Sequence, residues 1–197
     1  MSAVVQFEKD AAKDSLVFRR FAPGTELQLG METMLVRLDG DKWSLRLRSP
    51  QEKIVIDGEG AWYGVNYCRM LQRAGFSELI PYRVEFIPDQ RFQLGFFAEM
   101  NIRAAHLPGL APYMRSHGCM TMLALLNERR APMEGAVARA LEAAVDEYLP
   151  DLSRIKARRD IIESKVEAAL FPLFYQNGLC LTPHSFSIKG FAPPLLR

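Results

Sequence analysis

From Phe92 to Arg103 the chain alternates strictly between two kinds of side chain. Phe92, Leu94, Phe96, Ala98, Met100 and Ile102 share one side, and Gln93, Gly95, Phe97, Glu99, Asn101 and Arg103 the other. Successive side chains of a strand point to opposite faces of a sheet, so Arg91 to Arg103 reads as a strand with one face on a core. Such a strand needs partner strands and an apolar layer over its first face. The second face is polar except at Phe97. A large apolar side chain on a wet face marks a candidate interface, with another subunit or a partner as the group that covers it.

The residues before this strand also read as β-structure. Leu16-Val17-Phe18 and Phe21 precede a Pro23-Gly24 turn, and Glu26 to Leu29 follow. Met34, Val36 and Leu38 lead into Asp39-Gly40, a strong hairpin signal. Trp43, Leu45 and Leu47 then alternate with Ser44, Arg46 and Arg48, which predicts a strand with one wet face. Ile54 to Ile56 form one more, closed by Asp57-Gly58-Glu59-Gly60. Val65 to Ala74 reads as a short helix ending at Gly75, and Tyr82 to Ile87 as a strand between two prolines. His106 to Pro112 reads as a turn-rich connector, with a helix over Tyr113 to Leu126.

The last third is helical. Pro132 suits a first helical turn, where its missing N–H costs nothing. Met133, Val137, Leu141, Val145 and Tyr148 recur at helical spacing, and Pro150 interrupts. A second helix is predicted from about Ser153 to Asn177, with Ile155, Ile162, Val166, Leu170 and Leu173 on one face. Pro172 should kink or weaken its last turns, and Gly178 is the expected stop. Leu179, Leu181, Phe186 and Ile188 form a closing strand broken near Pro183. The fold class is therefore α/β in the α+β sense: a strand-rich first part with antiparallel hairpins, two amphipathic helices and a closing strand. No repeat or linker divides residues 1–197, which read as one domain with a strand-rich part at 1–60.

Composition narrows the function classes. Of 197 residues, 49% are apolar and 24% charged, which argues for a packed core rather than disorder. The 25 basic and 23 acidic side chains nearly cancel, leaving no electrostatic case for nucleic acid. Cys68, Cys119 and Cys180 are scattered and show no paired spacing, so a reducing, cytoplasmic setting fits better than a disulfide framework. Charge arrives too early at the N-terminus for a signal peptide. The longest apolar run, Ala168 to Phe174, is far short of a membrane span.

No motif of catalysis stands out. His117-Gly118-Cys119 sets a base near a thiol, but adjacency in sequence is poor support for a catalytic pair, and a loop with a buried thiol is the simpler reading. His106, His117 and His184 lack metal-ligand spacing with one another or with the cysteines. There is no phosphate loop, dinucleotide loop or nucleophile elbow. No cofactor, metal or catalytic residue is assigned. On the second C-terminal helix, Arg154, Arg158 and Lys165 fall on one stripe, about 80° from the centre of its apolar face. Such a stripe can meet an acidic partner or anionic head groups, or simply cover the core edge with its heads in water.

One resemblance organises these observations. Arg159-Asp160-Ile161-Ile162-Glu163-Ser164-Lys165-Val166, then Leu170, then Tyr175-Gln176-Asn177-Gly178-Leu179-Cys180-Leu181, resembles the late part of SPFH (band 7, stomatin/prohibitin/flotillin-like) domains. There an amphipathic helix ends at a glycine and leads into a strand. Phe96 to Arg103 followed by Leu107-Pro108-Gly109 looks like the family's strand before its first helix, and Met133 to Tyr148 like the next one. Phe18 to Phe21 followed by Glu26 to Gly40 is similar to a bacterial, virion-core-like branch. Residues 91–191 carry the better match. Family members usually carry a membrane hairpin, an acylation site or a long coiled coil beyond the domain, and none is read in this sequence. The resemblance implies a non-enzymatic scaffold or assembly module, a homo-oligomer or a binder of a protein partner, with peripheral contact to a membrane surface. Phe97, Arg154, Arg158 and Lys165 are its candidate contact residues. The alternative is an enzyme or small-ligand-binding protein whose site is built from residues distant in sequence.

Overall fold

A computed structural model describes residues 16–28, 33–40, 42–46, 53–66, 71–84, 87–149 and 151–196. Among them are eleven strands and five α-helices, and the fold is mixed, with antiparallel sheets. The chain gathers into two compact units. The first comprises Met1–Gln72, Arg103–Glu128 and Gln176–Leu179, and the second Arg73–Ile102, Arg129–Tyr175 and Cys180–Arg197.

The first unit is built on β1 (Leu16–Phe21), β3 (Met34–Asp39), β4 (Lys42–Arg46), β6 (Ala61–Val65) and β9 (Cys119–Thr121), in the order β4-β3-β6-β1-β9. A separate ribbon pairs β2 (Glu26–Gln28) with β5 (Lys53–Val55). The Asp39-Gly40 hairpin forms as expected, with Gly40 at φ +56° and Asp39 opposite Lys42. β6 was not legible beforehand, yet it lies between β3 and β1 and is buried at Trp62, Tyr63 and Val65. Phe18 meets Tyr63 edge to face, with ring centroids 5.9 Å apart, a pairing worth about 1 kcal/mol beyond the area it buries. The Tyr63 hydroxyl donates to the Met114 carbonyl, and burial pushes its pKa up. β4 departs from expectation. All five of its residues are exposed, Trp43 and Leu45 included, because it is the end strand of the sheet and neither of its faces is covered.

The connector expected at His106 to Pro112 is a helix, α1 (Leu107–Ser116). Pro108 sits in its first turn, where a missing N–H is tolerated. Gly109 permits a close backbone contact: a Cβ there would lie 2.7 Å from Gly178 Cα and 2.9 Å from the Gln176 carbonyl oxygen. Gly178, at φ +79°, stops the last helix as predicted, and its carbonyl accepts from Ala105 and His106 N–H. The helix expected over Tyr113 to Leu126 is broken. Arg20 N–H bonds the Gly118 carbonyl at 2.6 Å, and β9 pairs with β1 before α2 (Met122–Glu128) begins. Sheet pairing overrides helix propensity there.

The second unit holds β7 (Leu71–Val84) against β8 (Ile87–Ala104), with β8 flanked by β10 (Leu179–Leu181) and β11 (Ser187–Leu196). The helix expected over Val65 to Ala74 is thus replaced by the end of β6 and the start of β7, with residues 67–70 outside the described set. The strand expected over Tyr82 to Ile87 is met at Tyr82 to Val84, which end β7, and at Ile87, which starts β8, with residues 85–86 also outside the described set. The alternation of β8 is fulfilled: Leu94, Phe96, Ala98, Met100 and Ile102 are buried and Phe97 is 48% exposed. The closing strand is two strands, one on each side of β8, separated by a turn in which His184 takes φ +57°.

α3 (Arg130–Val145) begins two residues before Pro132 and buries Met133, Val137, Leu141 and Val145. A 3-10 turn, Asp146–Tyr148, follows. The long second helix is divided into α4 (Leu152–Ala157) and α5 (Arg159–Gln176) at Arg158, whose φ of −112° and ψ of 20° leave the helical region. Asp151 caps α4, accepting from Ser153 and Arg154 N–H at 2.9 and 3.2 Å. Ile155, Ile162, Val166 and Leu170 are fully buried, as their spacing predicts. Leu173 is not: it is 43% exposed, and Phe174 takes the next buried position. The change falls in the turn that Pro172 deprives of a hydrogen bond. α5 is tied down by its carboxylates. Glu163 accepts from Ile188 N–H and Glu167 from His184 N–H, each at 2.7 Å. No helix among the described residues is long and apolar enough to cross a membrane.

Candidate interaction surfaces

Phe97 stands on the outer face of β8. Its cross-strand partner on β11 is Gly190, and a Cβ there would sit 3.8 Å from the Phe97 ring. The position directly opposite the ring on that strand therefore carries no side chain. An aromatic ring lying over a cross-strand glycine shields its backbone, which gives Phe97 a purely structural use. Gly75 of β7 borders the same space, and a Cβ on it would meet nothing within 4 Å. The result is an open cleft of about 400 Å³, lined by Gly75, Phe97, Ala98, Glu99, Arg130, Glu134 and Lys189. Its charges answer one another: Lys189 lies 3.8 Å from Glu99, and Arg130 3.3 Å from Glu134.

Of this rim, only Arg130 and Glu134 left a signal in the sequence, an i,i+4 pair on one helix face. Lys189 did not. The β8/β11 register slips between Ile188 and Gly190, and that bulge sets which residue lies near Glu99.

The basic stripe is rearranged by the break at Arg158. Arg154 is on α4, Arg158 caps that helix and Lys165 is on α5. Two of them converge on Tyr148: the Arg154 guanidinium lies 5.8 Å and Lys165 Nζ 5.7 Å from its ring centroid. Lys165 also donates to Glu147 at 2.7 Å. That bond lowers the Glu147 pKa and raises that of Lys165. The Tyr148 pKa rises, chiefly through its own hydrogen bond to Glu147, against the opposing charges of Lys165 and Arg158. Tyr148 was expected only on the apolar face of the first C-terminal helix, and nothing local ties it or Glu147 to the stripe, because the turn that brings them there follows α3. The stripe is thus partly answered within the chain, and Lys165 already has its carboxylate.

His117 and Cys119 do not form the pair their adjacency suggested. His117 Nδ1 lies 2.8 Å from Ser116 Oγ and 3.1 Å from the Tyr113 carbonyl oxygen. A carbonyl only accepts, so in that bond Nδ1 carries the proton and closes the end of α1. His117 Nε2 faces Glu128 at 3.8 Å. Cys119 is exposed, correcting the buried thiol expected there, whereas Cys180 is buried. Among the described residues no group of three His, Cys, Asp or Glu side chains could hold a metal ion. No protein-family model and no curated protein matches this chain.

Proposed function

We propose that this chain is an SPFH-like assembly module, a non-enzymatic scaffold that docks a neighbouring protein subunit at the face around Phe97. One observation carries the reading: a half-exposed aromatic ring, with Gly190 opposite it on β11, stands in an open cleft that two ion pairs also line. Interfaces concentrate their energy in such anchors, with a polar rim that excludes water. Covering the exposed half of Phe97 contributes on the order of 1 kcal/mol before association costs. The volume of the cleft lies within the range of small-ligand sites. However, it offers one large apolar wall, and its four charges are mutually paired, so few polar groups are left to orient a small ligand. The order of elements from β8 through α1, α3 and α5 to β10 supports the family resemblance. A free, exposed Cys119 suits a reducing, cytoplasmic setting. Arg154 and Arg158 add positive charge that can face an acidic partner or a membrane surface.

The test is the native mass of the protein across a concentration range, alone and as Phe97→Ser. The expected result is an oligomer that the substitution weakens at least tenfold. An unchanged mass profile with retained fold would remove Phe97 from the interface and this reading with it.

A further inference from the structure

α5 carries a second apolar stripe, facing away from the one that packs on the core. Ile161, Ser164, Ala168, Phe171 and Tyr175 are all exposed. Their spacings of three, four, three and four are those of a two-heptad coiled-coil seam. At 100° per residue they span about 80° of the helix, and their centre lies about 160° from that of Ile162, Val166, Leu170 and Phe174. The seam is built for close approach. Ser164 and Ala168 are small, and the Ser164 hydroxyl already donates to the Asp160 carbonyl at 2.9 Å, so covering it strands no polar group. Phe171 and Tyr175 stack at 6.0 Å and 14°, forming one flat apolar end. Ile161 at 37%, Phe171 at 45% and Tyr175 at 42% exposure supply the area.

We infer that this stripe is a self-association seam whose occupant is α5 of a second copy, lying parallel and in register. Charge decides the occupant and its direction. Asp160 and Glu167 flank the stripe on one side and Lys165 on the other. In a parallel pair the acidic flank of each helix meets the basic flank of its mate, and Asp160 faces the other copy's Lys165 at the usual five-residue offset. An antiparallel pair would set acid against acid and base against base. The exposed Lys165–Glu147 contact costs little to share. The seam runs about 21 Å along the helix, below the standard size of stable interfaces, so the dimer is weak and concentration-dependent. Glu163 and Glu167 hold α5 in place, so little ordering cost is added on pairing. The inference deepens the assembly reading but uses a surface without Phe97.

Sedimentation of the full chain over a wide concentration range tests it, with Phe171→Lys, Ala168→Glu and Phe97→Ser alongside and far-UV circular dichroism as the check on fold. The expected result is a reversible seam dimer that remains in Phe97→Ser after the Phe97 contact is weakened, and whose dissociation constant rises tenfold or more in either seam variant. Two seam variants guard against one that misfolds. Ser164→Cys, oxidised mildly beside the parent chain, should give a disulfide-linked dimer that the parent lacks, because parallel copies bring that position face to face. Self-association lost only in Phe97→Ser would overturn the seam and leave the Phe97 reading standing. A parent that stays monomeric, or a Ser164→Cys chain that gains no cross-link, would overturn the seam as well.

Discussion

β4 and β8 carry the same kind of sequence and meet opposite fates. Each alternates apolar and polar residues. In β8 the apolar set is buried almost completely, while in β4 Trp43 and Leu45 remain 42% and 38% exposed. The pattern reports which residues share a face. Whether anything covers that face depends on the place of the strand in its sheet. β8 has β10 and β11 on its two sides, whereas β4 ends the sheet beyond β3. Lys42 and Arg46 keep that edge charged, which discourages pairing with another chain. Arg46 also covers part of the interior, its guanidinium lying 5.5 Å from the centre of the Trp62 ring.

This difference can be broken or sharpened by substitution. Phe96→Ala removes a fully buried ring from β8 and should cost about 3–5 kcal/mol in urea unfolding. A cost under about 1 kcal/mol would mean that the inner face of β8 is loosely packed. Gly109→Ala tests cover by backbone rather than by side chain. The added methyl collides with the Asn177–Gly178 turn, and a loss of about 3 kcal/mol is expected.

Asp57 gives a pH handle on the sheet that contains β4. The Trp62 Nε1–H bond at 2.7 Å, chiefly, holds its carboxyl below the usual carboxylate range, with help from Glu59 N–H, Arg37 and Arg46. Its folded pKa lies below its unfolded one. The stability it adds is therefore present above the ordinary carboxylate value and is lost as pH falls through the depressed one. Asp57→Asn should lower the urea midpoint at pH 6 and match the parent near pH 2; a constant gap across that range would refute the assignment. The smallest effect is expected at Trp43→Thr, within about 0.5 kcal/mol, because an exposed end-strand ring loses little on removal.

The same contrast explains what could be read in advance. β8, the Asp39-Gly40 hairpin, the α3 core residues and the Gly178 stop were legible because each rests on local chemistry. β6 was missed because Ala61 to Val65 is short and follows a glycine-rich turn, and only its neighbours β1 and β3 make it a central strand. α1 was hidden by Pro108 and Pro112. The exposure of Phe97 could be inferred from alternation, but the surrounding cleft could not, since it depends on Gly190 and Lys189 arriving across a bulged register. Arg154, Arg158 and Lys165 were placed on one stripe by assuming a continuous helix. The break at Arg158 and the return of Tyr148 are tertiary facts.

The contact between Gly109 and Gly178 also has a consequence in time. A ribosome delivers the chain N-terminus first, at roughly 5–20 residues per second. Gly109 emerges well before the segment that seats against it, Gln176–Leu179, since α3, α4 and α5 lie between them in the sequence. Until it emerges, α1 lacks the turn it packs on, and the Gly178 carbonyl cannot receive its two N–H groups. The seat beside Gly109 therefore stays unfilled for as long as α3, α4 and α5 take to be made.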